Sequence, residues 1–174
     1  MSVLAPLLGL GMVKAALMAY AAMDLIHMTI TKRAAFEEAQ RLSNGKGVIN
    51  IGAGPHRFPQ SQVIAEHPEV MSNLDIVADG MPHFRQIDVE SEALPFADKQ
   101  FGCAFASHIL EHLESWPSVE FALSEMVRVA DYVVVVLPHP AYFSGWLAPE
   151  HRQHFSRDDI DEMVGLYPNV TIFY

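Results

Sequence analysis

The run Tyr132–Pro138, YVVVVLP, offers no polar face to water. A strand of that kind must be buried on both sides, and such strands belong to parallel sheets covered by helices above and below. A second run, GVINIGAG at 47–54, is apolar and β-branched and ends in two glycines, which reads as a buried strand and the loop leaving it. Further strands are expected at SNLDIV, FRQIDV, FGCAFASHI and NVTIFY. Helices are expected at KRAAFEEAQRL, PQSQVIAEHPEV, WPSVEFALSEMVRVA and SRDDIDEMVGLY, with Ser156 as N-cap of the last. Strands alternating with helices imply an α/β fold with a doubly wound, mainly parallel sheet, whose ligand lies at the carboxyl ends of the strands.

The 174 residues suit one domain, yet 51% of them are hydrophobic. The excess is concentrated in residues 1–30, of which 22 are hydrophobic. From Val3 to Met23, 17 of 21 residues are apolar, broken by Pro6, Gly9, Gly11 and Lys14. As a helix that stretch spans roughly 30 Å, one hydrocarbon core. Lys32 and Arg33 follow it, which by the positive-inside rule puts the rest in the cytoplasm. Gly11, Ala15, Ala19 and Ala22 form a small-residue stripe suited to a neighbouring membrane helix or a protein complex. The alternative is an Ala-rich helix packed on the domain. The expected organisation is therefore a transmembrane or packing helix at 1–30 and a globular domain at 31–174, giving a single-pass membrane protein.

Charge divides in the same way. Up to Gly47 there are five Lys/Arg and three Asp/Glu, and from Val48 onward six and eighteen, so the region from Val48 onward carries −12. An acidic surface excludes a nucleic-acid partner, because phosphate binding needs a basic face. The single cysteine, Cys103, excludes an internal disulfide and any multi-cysteine zinc site.

Chemistry-bearing residues gather at the predicted strand ends. Gly52 and Gly54 allow the backbone to approach a ligand closely, though two glycines after a strand also make an ordinary tight turn. Asp75, about twenty residues further on, stands where an acid accepts both hydroxyls of an adenosine ribose; its other reading is a capping residue. Asp88 could meet an adenine amino group. His108-Ile-Leu-Glu111-His112 fits the inverted zinc-peptidase pattern H-x-x-E-H, which would put two histidines on one helical face with a glutamate as base. So short a pattern arises readily by chance, and His139, His151 and His154 lack fixed close spacing, so no metal is assigned.

Together NIGAG, NLDI, QIDVESEALPFADKQFGCAFASHILEHL and EMVRVADYVVVVLP resemble the small class I S-adenosylmethionine-dependent methyltransferases over roughly residues 48–155. LPFADKQFG, ASHILEHL and EMVRV carry the most specific part of the likeness. The resemblance implies a Rossmann-like fold and S-adenosylmethionine as cofactor. It implies that Gly52 and Gly54 border the methionine moiety, with Asn50 in the position of the usual acid, Asp75 at the ribose and Asp88 at the adenine. Ser107 and His108 would lie beside the sulfonium, with His108 or His112 able to take a proton from the acceptor. The chain departs from the family at Asn50, at His56 in place of a third glycine, and at Gly102 in place of an Asp. It also ends near the sixth strand, without the last strand of the family's sheet. The loop after the fifth strand carries Tyr142, Phe143 and Trp146, suited to an apolar or aromatic substrate.

The resulting expectation is a membrane-tethered methyltransferase acting on a small-molecule or lipid-associated acceptor. The alternative is a catalytically inactive methyltransferase-like subunit serving as a structural component of a membrane complex.

Overall fold

The computed structural model describes residues 4–54, 59–77, 80–139 and 148–174, with the backbone alone for 4–13 and 59–60. The chain runs α1 (Leu4–Ser43), β1 (Val48–Ile51), α2 (Pro59–Ala65), β2 (Val70–Asp75), β3 (Phe84–Gln86) and β4 (Phe101–Ser107). A 3-10 turn at Leu110–His112 then leads to α3 (Trp116–Val129), β5 (Ala130–Val136), α4 (Arg157–Leu166) and β6 (Val170–Phe173). The six strands form one sheet in the order β3-β2-β1-β4-β5-β6, and every pairing is parallel. This is the doubly wound α/β architecture expected from the sequence. β6 pairs directly with β5, and no seventh strand is present among the described residues.

Alternation along the buried strands sends side chains into two separate cores. Ile49, Ile51, Val133 and Val135 pack with Leu123 and Met126 of α3 and with Ile160 and Met163 of α4. Val48, Phe105, Val134 and Val136 face the other way, onto Ala35, Phe36 and Ala39 of α1 and Ile64 of α2. Cys103 lies in this second core, where burial pushes its thiol up to about 12. Ser156 begins α4 with a reciprocal capping box to Asp159, as its position in the sequence suggested.

The apolar leader and KRAAFEEAQRL are one continuous helix, and the membrane reading of the leader is corrected. Among the described residues no helix is long and apolar enough to cross a membrane. The physical reason is the polar content of the described part of α1: Lys14, Asp24, His27 and Thr31 lower its hydropathy, and the last three line a cavity against the sheet. The expected transmembrane helix and the single-pass membrane localisation therefore have no basis in the fold. Leu17, Met18, Met23 and Ile26 are exposed along α1, as are Ala15, Ala19 and Ala22.

Two of the sequence's distinctive features prove to be structural. Arg128 bonds both carboxylate oxygens of Glu125 at 2.8 Å and donates to the carbonyls of Leu94 and Phe96 and to Asp98. Glu125 also accepts from Leu94 N at 2.7 Å. The Glu and Arg of EMVRV thus staple the LPFADKQFG loop to α3 through charge-assisted bonds, which hold the Glu125 carboxyl below its usual range. Gly102, the departure from Asp, is explained by α1. A Cβ at this position would lie 1.9 Å from the Ser43 carbonyl oxygen and 2.6 Å from its Cα, so the end of α1 crosses β4 over a position that admits only glycine.

Because the obstruction is backbone, it cannot rotate away. Gly102→Ala is expected to cost about 2 kcal/mol, or roughly 4–8 °C in Tm for a chain of this size. Thermal unfolding of the variant with an unchanged Tm would contradict this account of the α1–β4 crossing.

Candidate active site

The direction of chain progression reverses between β1 and β4, which lie side by side while β2 and β5 continue to opposite edges. The crossover connections therefore diverge at this point and leave a crevice at the strands' carboxyl ends. Two cavities open there. One, of about 210 Å³, is lined by Asp75, Ile76, Ile87, Asp88, Val89, Glu90, Ile109, His112 and Leu113. The other, of about 330 Å³, lies between α1 and the ends of β4–β6, and His27, His108, Glu111, His112, His139 and His151 are among its walls. His112 is common to both.

In the first cavity the carboxylates of Asp75, Asp88 and Glu90 stand among the apolar residues Ile76, Ile87, Val89, Ile109 and Leu113. Asp75 ends β2, where Oδ2 accepts from Gly54 N and Oδ1 from Val77 N, each at 2.9 Å. It thereby ties the glycine loop to the neighbouring strand, which is the capping role and leaves further lone pairs for a ligand. Asp88 lies beyond the end of β3; Oδ1 accepts from Glu90 N and Oδ2 from Ser91 Oγ. Gly52 sits at φ +64° with Ile109 folded against it: a Cβ there would meet Ile109 Cδ1 at 2.5 Å. Asn50 lines neither cavity. It is 3% exposed, and its amide donates to Asn73 Oδ1 at 2.7 Å, while Asn73 donates to the carbonyls of Ala65 and Pro82. The pair of amides joins β1 to β2 and anchors the loops beneath the site. His56 lies outside the described residues.

The second cavity holds the histidines. His108 follows β4 directly at φ +54°, a left-handed conformation that a residue with a Cβ adopts at some cost and that recurs at functional positions. Its Nδ1 lies 3.1 Å from Glu111 Oε1. The positive φ and the 3-10 turn that follows set His108 and His112 off the shared α-helical face that H-x-x-E-H requires. Two of its polar atoms, His108 Nε2 and Glu111 Oε2, are buried without a hydrogen-bond partner, as is Ser107 Oγ at the end of β4. Unsatisfied buried groups are costly and call for an explanation at each site. Nearby, burial lowers the Lys32 ammonium to about 8, against the opposing pull of Glu111. Burial, then the neighbouring His27 and Arg157, hold His139 below the usual histidine range.

Of the residues singled out in the sequence, Asp75, Asp88 and His112 line the first cavity, and His108 and His112 line the second. Sequence reasoning did not anticipate Glu111 as a buried member, nor Asp24 and His27 from α1, whose polar spacing inside an apolar helix was the available signal. Of His139, His151 and His154, the first two line the second cavity and the third is exposed. Tyr142, Phe143 and Trp146 lie outside the described residues.

A family model described as "Methyltransferase domain" matches residues 64–131. The matched family is one of class I S-adenosylmethionine-dependent methyltransferases, and the segment is similar to it. The methyltransferase match spans the end of α2 to the start of β5, and so includes Asp75, Asp88, Ser107, His108 and His112; the glycine loop precedes it. No curated protein sequence matches the chain significantly.

The close fit of Ile109 on Gly52 separates two effects. Gly52→Ala is expected to cost about 1–3 kcal/mol from overpacking together with positive-φ strain. In an Ile109→Ala background the same substitution keeps the φ penalty and loses the steric part. Urea unfolding of the four-member cycle measures the coupling; strictly additive costs would contradict the contact.

Proposed function

We propose that the chain transfers a methyl group from S-adenosylmethionine to a small-molecule acceptor, with the nucleoside in the smaller cavity and the acceptor in the larger. The observation that carries this reading is His112, which closes the 3-10 turn after β4 and borders both cavities within a segment that matches a methyltransferase family. The cofactor supplies a methyl group activated by a sulfonium. The chain's own part is to bind, orient and accept a proton. Asp75 receives the ribose hydroxyls on its remaining lone pairs, Asp88 receives the adenine amino group, and Ile76, Ile87, Val89 and Leu113 supply the apolar lining for the ring. Gly52 and Gly54 let the backbone approach the methionine end, and Asn50 supports that loop from below through Asn73.

At the acceptor, the unpartnered Nε2 of His108 is the proton acceptor, with Glu111 orienting the ring through Nδ1 and the buried Ser107 hydroxyl beside it. Most of the acceleration comes from holding the acceptor in line with the methyl group. A cavity of about 330 Å³ suits a small molecule, and the −12 charge of the region from Val48 onward disfavours nucleic acid.

A non-catalytic methyltransferase-like subunit is the second reading, favoured by Ile109 covering Gly52 where the methionine end would pass. Titration calorimetry of the full chain with S-adenosylhomocysteine separates the two. The enzyme reading predicts one-site binding that Asp75→Asn weakens about tenfold, the equivalent of 1.4 kcal/mol. Absence of heat in both the native chain and Ile109→Ala supports the non-catalytic reading instead.

A further inference from the structure

Glu111, His112 and His151 come together although they belong to two separate segments. Each offers a ligand atom within 4.8 Å of the others. The convergence is built by the backbone: the Glu111 carbonyl accepts from both Arg152 N at 2.8 Å and Gln153 N at 2.9 Å, which holds the segment carrying His151 against the 3-10 turn. Gln153 adds a bond from Nε2 to the Leu113 carbonyl. The His112 and His151 rings meet edge to face with centroids 4.9 Å apart.

Two further features point to a cation. Glu111 is 1% exposed and its Oε2 has no hydrogen-bond partner, because Oε1 alone engages His108. A buried carboxylate oxygen left unpaired is costly unless something positive meets it. The second is the state of His112. Its Nδ1 lies 3.1 Å from the Glu150 carbonyl oxygen. A carbonyl can only accept, so Nδ1 carries the proton and Nε2 keeps its lone pair. A backbone carbonyl fixing the ring of a histidine in this way is the outer-shell arrangement that metal-ligating histidines use.

We infer that Glu111, His112 and His151 form a site for a divalent transition-metal ion of the zinc type, bound by two imidazoles and one carboxylate with its remaining coordination positions open to the larger cavity. Two nitrogens and a carboxylate oxygen suit Zn²⁺ or its first-row neighbours rather than Mg²⁺ or Ca²⁺, which prefer oxygen donors. Tetrahedral binding at about 2.0–2.1 Å requires donors roughly 3.4 Å apart, so the three side chains close in by about an ångström on binding. His108 is not a ligand here; it shares Glu111, with Oε1 serving the imidazole and Oε2 the ion. The pattern H-x-x-E-H thus contributes its last two residues, and the third ligand comes from His151, about forty positions away in the sequence. The site does not depend on methyl transfer and is tested without cofactor.

The probe is the metal alone, added to the full chain. Equilibrium dialysis against Zn²⁺ should give one ion per chain. Co²⁺ should give the intense visible bands of a four- or five-coordinate site, displaced by equimolar Zn²⁺. His151→Ala and the isosteric Glu111→Gln should each weaken Zn²⁺ binding at least about 100-fold, with folding of each variant checked by circular dichroism. His139→Ala, in the same cavity but outside the cluster, should leave it within about threefold. No stoichiometric binding by the native chain would overturn the inference, as would loss with His139→Ala but not with His151→Ala.

Discussion

The parallel pairing of β1 with β4 is the constraint on which the site depends. Strands two and three lie on one side of this pair and five and six on the other, so the connections must part above it. Everything chemically distinctive lies in that opening: the glycine loop after β1, Asp75 at the end of β2, and Ser107 and His108 after β4. On either side of this pairing the α1 crossing at Gly102 holds β4, and the amide bridge from Asn50 to Asn73 ties β1 to β2. Where the family has acids, this chain has a glycine and an amide, and both have become parts of the packing.

The strands were legible because their burial leaves little choice of residue. VINI and ADYVVVV read as fully or largely apolar runs, and no other environment accommodates them. Element ends were less legible. FRQIDV yields a strand of only three residues, because Asp88 turns the chain by bonding Glu90 and Ser91 instead of continuing the ladder. The acids and histidines at strand ends could be picked out because the fold type dictates where ligands lie.

What sequence reasoning missed involves side-chain direction and long-range approach. The N-terminal stretch looked like a membrane span when its hydropathy was summed, yet Asp24, His27 and Thr31 recur at helical spacing and line a cavity. A sum over a window does not register which way such a stripe faces. The spacing of His108 and His112 suggested one helical face, and the left-handed backbone at His108 removes it. Arg152 and Gln153 both donate backbone hydrogen bonds to the Glu111 carbonyl and so bring the adjoining His151 to Glu111, a contact that leaves no trace in local sequence. The environment of Glu111 was equally hidden: it stands between Leu110 and His112 in the sequence and is 1% exposed in the fold.

The central claim is that a nucleoside cavity and a histidine-lined cavity meet at His112. A crystal structure of the full chain with S-adenosylhomocysteine tests it most directly. The account predicts the adenosine between Asp75 and Asp88 and the thioether sulfur on the side of His112 that faces the larger cavity. Ligand bound in the larger cavity instead, or adenosine located away from both aspartates, would contradict it.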